Sequence, residues 1–518
     1  MVFVRKVPGR NGAVKVQIAE RRDRRDVVLE HVGTAHNDGE LAALLRIAND
    51  HLHPGQETLP LDTDSGKMPG QAVVVAQESR LLLEAIRSVY RFLGFEEALG
   101  DEGFFQLVAA RLIAPGSVRA VGLVLEELGV AARHRNSLQS ALERANRDDY
   151  RAKIATVCFR HALSGGDLSL VLYDVTTLYF EAEKEDELRK VGYSKERRVD
   201  PQIVVGLLVD RAGFPLEVSC WEGNKAETQT ILPTVKAFQE RHGAHDMVVV
   251  ADAGMLSAAN LRQLDEAGLR FIVGARQTKA PHDLEAHFHW HGDAFADGQL
   301  VDTITPRGNA RKNATSDPKV KAEPKWDPSV HASSWRAVWA YSAKRAARDA
   351  KTLRLQEERA RDIVEGKRAQ KKARFVAQAH GSASIDEKGI ERARMLVGLK
   401  GYVTNIPHEL MPAAEVITSY HDLWHVEQSF RMSKTDLKAR PIFHHTRDAI
   451  EAHLTIVITA LAVARYLQTR TGMSIKKLVT TLKPLREVTI ELPGGHHITA
   501  QPAIPPNAQE ILNTLEGH

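Results

Sequence analysis

Cysteine is nearly missing from this chain. Cys158 and Cys220 are the only two in 518 residues, which excludes a disulfide framework and a cysteine-built zinc cage and points to a reducing, cytoplasmic setting. Net charge is nearly absent as well, since 70 Lys and Arg against 66 Asp and Glu leave +4. No chain-wide basic field therefore argues for a polyanionic partner, although partners respond to where charges sit as well as to their sum. Long apolar runs are also lacking. The longest membrane-like stretch, Leu454 to Ala464, is about half of the roughly 20 residues a spanning helix needs, and Arg465 closes it, so no membrane partner is expected. The first residues have no apolar segment followed by a small-residue cleavage site, so no signal peptide is expected. A Walker-type phosphate loop is missing, which leaves ATP dependence without support.

What is present is ample apolar material, 43% of residues, enough for real cores and for roughly two to four domains at about 100–200 residues each. Residues 1–75 read as a small β-rich element: Val2–Val4 and Val14–Ile18 flank a turn with an Asn11-Gly12 step, and Val27–Val32 follows the basic cluster Arg21, Arg22, Arg24 and Arg25. Residues 76–165 turn helical, with apolar positions three and four apart (Leu81, Leu82, Ala85, Ile86, Val89, Phe92). From 166 to 276 the period changes. Leu168–Tyr173, Ile203–Val209, Leu216–Trp221, Met247–Ala251 and Arg270–Val273 read as strands, some joined by helices, which predicts a mixed α/β unit covered on both faces. Residues 277–398 interrupt it with a polar stretch (297–334) and a long basic helix over Tyr341–Arg374. Tyr402–Asn405 reads as a last strand, followed by a helix over Ala413–Leu437, an apolar helix over 448–468 and a Pro-rich tail over 471–518.

Three acids stand out. Asp174 and Asp252 each follow an apolar strand, at the sheet edge where α/β sites are usually built; on adjacent parallel strands they would lie within a few ångströms of each other. Such a pair needs a proton or a cation between its members, and oxygen-only ligands select a hard ion such as Mg²⁺ or Mn²⁺. The plainer reading is that each Asp caps a turn or helix. On a helix at 100° per residue, Tyr420, Trp424, Glu427, Arg431, Lys434 and Lys438 form one stripe, beside a buried stripe of Leu423, Val426, Phe430 and Leu437. Glu427 thus sits at the core edge, a single acid among cations, which suits a metal-bound carboxylate beside an anionic, phosphate-like substrate.

The segments Leu172-Tyr173-Asp174-Val175-Thr176-Thr177, Val249-Val250-Ala251-Asp252-Ala253-Gly254-Met255 and Tyr420…Glu427…Lys434 together resemble a DDE transposase of a bacterial insertion sequence, in the group marked by a Tyr-x2-Arg-x3-Glu-x6-Lys signature. Gly192-Tyr193-Ser194-Lys195-Glu196, Gly213-Phe214-Pro215-Leu216 and Glu222-Gly223-Asn224-Lys225 add to the likeness, which covers about 168–276 and 399–460. One position departs: the signature arginine is Leu423, with Arg431 as the replacement on the same helix face. The resemblance implies a ribonuclease-H-like mixed sheet flanked by helices, formed by 166–276 and 399–470, with an insertion at 277–398 between the second Asp and the Glu and a mainly helical N-terminal region that binds DNA ends. It implies Asp174, Asp252 and Glu427 as catalytic ligands of two Mg²⁺ ions, with Mn²⁺ able to substitute. Tyr420, Arg431, Lys434 and Lys438 would contact DNA, and inserted tryptophans, Trp335 and Trp339 or else Trp326, would stack on a displaced base. The implied partners are double-stranded DNA, as terminal inverted repeats and target, and further copies of the chain in a dimer or larger synaptic complex in the bacterial nucleoid. A relative that binds DNA without cutting, or a ribonuclease-H-like nuclease that cuts without joining, is the alternative.

Two weaker patterns compete. His421-Asp422-Leu423-Trp424-His425 imitates a zinc-protease motif with Asp where the base should be. His287, His289 and His291 would share one face of a strand and could hold a metal. Lys195, Arg197 and Arg198 read as solvated or DNA-facing.

Overall fold

The computed structural model describes residues 2–9, 13–22, 25–52, 72–166, 168–181, 184–193, 199–253, 257–307, 323–369, 373–379, 382–492 and 495–515. The Asn11-Gly12 turn, Arg24, Lys195, Arg197, Arg198 and the Gly254-Met255 pair lie outside them.

Residues 1–73 form one compact unit. Its strands β1 (Val2–Pro8), β2 (Val14–Arg22) and β3 (Arg25–Ala35) make an antiparallel sheet in that order. Helix α1 (Asp38–Leu52), which the strand-like reading of this region did not include, closes a small core on Val16, Ile18 and Ala48. The Arg cluster is partly neutralised there: Arg22 pairs with Glu20 at 2.6 Å, and Arg21 with Asp26 at 3.8 Å.

The second unit, Val74–His518, holds everything else. After β4 (Val73–Glu78) come six helices: α2 (Arg80–Phe92), α3 (Phe95–Leu99), α4 (Glu102–Ile113), α5 (Val118–Glu127), α6 (Arg135–Arg147) and α7 (Tyr150–Ser164). The central chain then runs β5 (Leu170–Tyr179), β6 (Gln202–Asp210), β7 (Pro215–Glu222), α8 (Ile231–His242), β8 (Val248–Ala251), α9 (Ala258–Glu266) and β9 (Arg270–Gly274). The expected insertion supplies α10 (Ala280–Asp283), α11 (Glu285–His291), β10 (Leu300–Pro306), β11 (Ser334–Tyr341), α12 (Ala343–Val364), the hairpin β12 (Val376–Ala379) and β13 (Ser382–Ile385), and α13 (Glu387–Met395). It is followed by β14 (Leu399–Thr404), α14 (Ala413–His421), α15 (Trp424–Thr435) and α16 (Arg447–Thr471). The tail is ordered rather than loose, as α17 (Ile475–Leu482), β15 (Glu487–Glu491), β16 (His497–Ala500) and α18 (Pro506–Leu515), and its two strands join β4 in a three-stranded sheet.

One sheet of eight strands, ordered β10-β11-β14-β9-β8-β5-β6-β7, organises the unit. β5, β8 and β9 are parallel, whereas β6 and β7 form an antiparallel meander on one side and β14, β11 and β10 continue antiparallel on the other. This is the mixed, helix-flanked α/β sheet that the ribonuclease-H-like expectation describes. The pleat sends alternate residues to opposite faces. Leu170, Leu172, Val248, Val250, Val338 and Tyr402 join the core around α16. Val171, Tyr173, Val249, Ala251, Val403 and Trp335 join a separate core with α8 and α9. The continuous apolar runs of these strands follow from that two-sided cover.

Helix α16 is the spine of the first face. It contains a β-branched run, Thr455-Ile456-Val457-Ile458-Thr459, that helix propensity alone disfavours. Tertiary burial decides instead, because all five side chains are buried and each is worth more in the core than the propensity difference. Thr455 and Thr459 satisfy their hydroxyls on the carbonyls of Glu451 and Thr455, at 2.9 and 2.7 Å. The Thr446 hydroxyl caps its start by accepting from the Ala449 amide, and Gly472 at φ +67° ends it. It is long and apolar enough to cross a membrane, yet 94% of its most apolar window is buried inside the protein.

β10 and β11 correct the reading of 277–398 as a polar interruption, since they extend the main sheet. Under them lies a buried carboxyl, Asp283, which accepts from Trp339 Nε1 at 3.2 Å and is pushed up to about 7 by burial. An unperturbed Asp titrates near 3.8. Between those pH values the folded chain keeps a proton that the unfolded chain releases, so stability falls as pH rises through that window. Thermal melts from pH 4 to 7 should lose this component in Asp283→Asn.

Candidate active site

The acids occupy a break in the sheet. β8 pairs in parallel with only the first part of β5, and the register ends at Tyr173 opposite Ala251. Beyond that pair β8 stops, while β5 continues alongside β6 to Tyr179. Asp174 is therefore inside a strand rather than at its end, which corrects the sequence expectation; it is half-buried. Asp252 is the first residue after β8. Alternation from Leu172 and Val250 sets both carboxylates on the α16 face, on neighbouring strands about 4.8 Å apart.

The third acid comes from across this face. α14 and α15 follow the expected helix but are separated by a tight turn at Asp422 and Leu423, so the rod is two helices. Leu423, Val426, Phe430 and Leu437 are buried, as the stripe predicts; Val416 is buried too, and so is Tyr420, which the helical wheel sets in the stripe of Glu427 instead. Packing through this stripe seats α15 on β5 and β6. Glu427 is exposed, and its carboxylate makes no hydrogen bond or ion pair among the described residues. Two turns further on, Lys434 Nζ donates to Thr176 Oγ1, on the same strand face as Asp174. This bond fixes the helix along the strand that carries the first acid.

Tyr420 fixes the second. Its hydroxyl donates to Asp252 Oδ1 at 2.8 Å, and the Ala253 amide donates to the same oxygen at 2.7 Å. Burial, reinforced by the Asp252 charge, raises the phenol's pKa, so it remains a proton donor. Gly274 on β9 makes room for it: a Cβ there would sit 2.6 Å from the tyrosine oxygen.

Lys400 was not recognised from sequence. It projects from β14 with its Nζ 4.4 Å from the centre of the Tyr420 ring and 5.6 Å from that of Tyr402. Burial lowers its pKa first and Arg345 adds to that, while Asp252 and Glu427 pull it back up. The ammonium thus lies in the field of two of the three acids. Arg345, on α12, also acts on Tyr402 and on His421, whose Nε2 is 3.2 Å from the Tyr402 hydroxyl. The signal was a lone charge two residues from Tyr402 in an otherwise uncharged strand.

The remaining candidates separate. Arg431 is exposed on α15, and Lys438 is exposed beyond its end, at φ +44°. Leu423, at the signature arginine's position, is buried and serves packing only. Trp335 and Trp339 are 2% and 0% exposed. They are corrected from base-stacking candidates to core residues, because alternation along β11 turns them to the sheet face opposite the acids. Their indole N–H groups donate to Asp265 and Asp283, each at 3.2 Å. Trp326 is likewise buried, donating to the Ser334 carbonyl at 3.0 Å. His287, His289 and His291 lie on the short helix α11, not on a strand, and His287 is buried against Glu323 and Phe295. The basic helix begins at Ala343 and ends at Val364; Lys344, Arg348, Lys351, Arg354, Arg359 and Arg361 are exposed along it.

Among the described residues, no three His, Cys, Asp or Glu side chains are drawn together into a metal cage. What fits a metal is the donor chemistry: carboxylates only, suited to a hard divalent cation.

A family model described as a transposase DDE domain matches residues 165–463, more than half of the chain, and spans all three acids. No curated protein matches. Among solved structures, the cryo-EM structure of a piggyBac transposase synaptic complex with hairpin DNA is similar at 10% identity, covering 78% of this chain and 79% of that one, with a TM-score of 0.39. On the family match, the chain belongs to the DDE transposases.

Proposed function

We propose that the protein cleaves the ends of an insertion sequence and joins them to target DNA, acting in the bacterial cytoplasm on the nucleoid as a dimer or larger synaptic complex. One observation carries this reading: the strand register sets Asp174 and Asp252 side by side on the face across which α15 brings Glu427. These three carboxylates would hold the metal, Mg²⁺ with Mn²⁺ as substitute. Two divalent ions bound there supply activation of the attacking oxygen and neutralisation of the leaving one in an in-line displacement.

The chain's own residues do the rest. Tyr420 orients Asp252 so that its second oxygen is left for a ligand. Lys434 holds α15 on β5 and sets the distance between Glu427 and Asp174. Lys400 provides the cation that Leu423 cannot, placed to meet a phosphate oxygen beside the acids. Arg431, Lys438 and the exposed face of α12 offer further cations to the DNA backbone.

Two experiments test this. Lys400→Met should slow end cleavage by about 10²-fold, the size of losing one preorganised charge donor, and Lys400→Arg should recover most of it; equal loss in both would reduce Lys400 to a packing role. A pre-cut end bearing a 3′-OH, offered with target plasmid, should be joined. Cutting without joining would place the protein among the nucleases.

A further inference from the structure

A second cationic centre lies behind the end of the catalytic helix. A cavity of about 310 Å³ is bounded by Arg111 at the end of α4, Ser117 and Arg119 where α5 begins, Arg135 at the start of α6, and His444 and His453. No carboxylate lines it, and none of the three arginines makes an ion pair among the described residues. Arg111 is the most telling. Burial pushes its guanidinium down to about 10 with no acid to oppose the shift. Its bonds go to neutral acceptors at long range: the carbonyls of Leu437 and Lys438 at 3.5 and 3.3 Å, and His453 Nδ1 at 3.5 Å. His453 is buried and held neutral, with Nε2 donating to the Ala439 carbonyl at 3.1 Å, which makes Nδ1 the acceptor. Arg111 is part-buried, and a cation withdrawn from water without a counter-charge carries a cost that an anion in the cavity would offset.

The surrounding backbone has the same polarity. The first turn of α5 carries no acid, and Ser117 does not cap it with its side chain, so the positive end of the helix adds to the cavity's charge. Phe443 is 60% exposed at the rim. Beyond the turn at Leu112–Pro115 a larger groove continues the charge with Lys438, Lys476 and Arg486, against the acid Asp436, while its Lys483 is paired with Glu127 at 2.7 Å. Cationic sites in succession fit a polyanion better than one free ion.

We propose that this cavity is a phosphate-binding site that holds a backbone phosphodiester of duplex DNA beside the helix bearing Glu427 and Lys434. The proposal rests on the DNA-acting reading above, and its test keeps the two apart. Arg119 and Arg135 are exposed, so Arg119→Ala/Arg135→Ala in the full chain should keep the wild-type melting temperature. Binding of a labelled duplex is measured by anisotropy in metal-free buffer across a KCl series. The slope of log affinity against log salt should become shallower by roughly 0.9 for each phosphate that the variant no longer neutralises, with affinity falling several-fold at low salt. An unchanged slope, with the wild type still binding the duplex, overturns this site alone; a wild type that binds no duplex overturns the DNA reading as well. In a second arm, inorganic phosphate is titrated into both proteins. Phosphate that raises the melting temperature of the wild type but not of the variant, together with unchanged duplex slopes, would make this a free-anion site and overturn the DNA assignment.

Discussion

Asp174→Asn and Glu427→Gln should each reduce Mg²⁺-dependent end cleavage by on the order of 10³-fold or more, while binding of the same ends stays close to wild type. The size follows from the role: a carboxylate that helps hold a catalytic ion supports several kcal/mol of transition-state stabilisation, and about 4 kcal/mol corresponds to about 10³-fold. Binding is spared because Glu427 is exposed and Asp174 half-buried, and because the proposed DNA contacts are cations on other positions. Both amides keep the shape of the side chain they replace. Cleavage and gel-shift assays on the same preparations check both halves. Cleavage surviving both substitutions would show that other residues do the chemistry.

The second large effect concerns stability. Trp335→Ala and Trp339→Ala should each cost about 3–5 kcal/mol, the range for truncating a buried aromatic. Trp335 packs edge-on to Phe271, with ring centres 6.0 Å apart, and Trp339 covers Gly401, where a Cβ would meet the indole at 2.7 Å. Truncating Trp339 also takes the indole donor from the buried Asp283, whereas Asp265 keeps Arg307 and Asn405 when Trp335 is cut back. Denaturant or thermal unfolding would register the loss. A tryptophan that stacked on DNA would behave oppositely, leaving the melt alone and weakening binding.

The parts of the site that were legible in the sequence are those fixed by local periodicity. The apolar runs before Asp174 and Asp252 gave β5 and β8, and the three- and four-residue spacing gave the buried stripe beneath Glu427. What stayed hidden depends on longer-range pairing. The run ending at Asp174 looked like a finished strand because the acid interrupts its hydropathy, yet Val175, Thr176 and Thr177 are β-branched and continue it, with β6 as partner. The turn at Asp422 and Leu423 contains neither Gly nor Pro, so nothing local marks it. Residues 334–341 were read through their polar surroundings, although Trp335, Ala337, Trp339 and Tyr341 alternate at the strand period. The tail strand β15 belongs to a sheet with β4, more than 400 residues earlier in the chain, and no local pattern reports such a pairing. Lys400 was missed for the same reason: its neighbours Asp252 and Glu427 come from other elements.

One assay decides whether the three acids make this chain a DNA-cutting enzyme. Purified full-length protein is incubated with DNA carrying the element's terminal inverted repeats, with Mg²⁺ and with EDTA, beside Glu427→Gln. Strand breaks at the repeat ends should require wild-type protein and metal together. Breaks that persist in EDTA or in Glu427→Gln, or a wild type that binds the repeats and leaves them intact with both Mg²⁺ and Mn²⁺, would contradict that role of the acids.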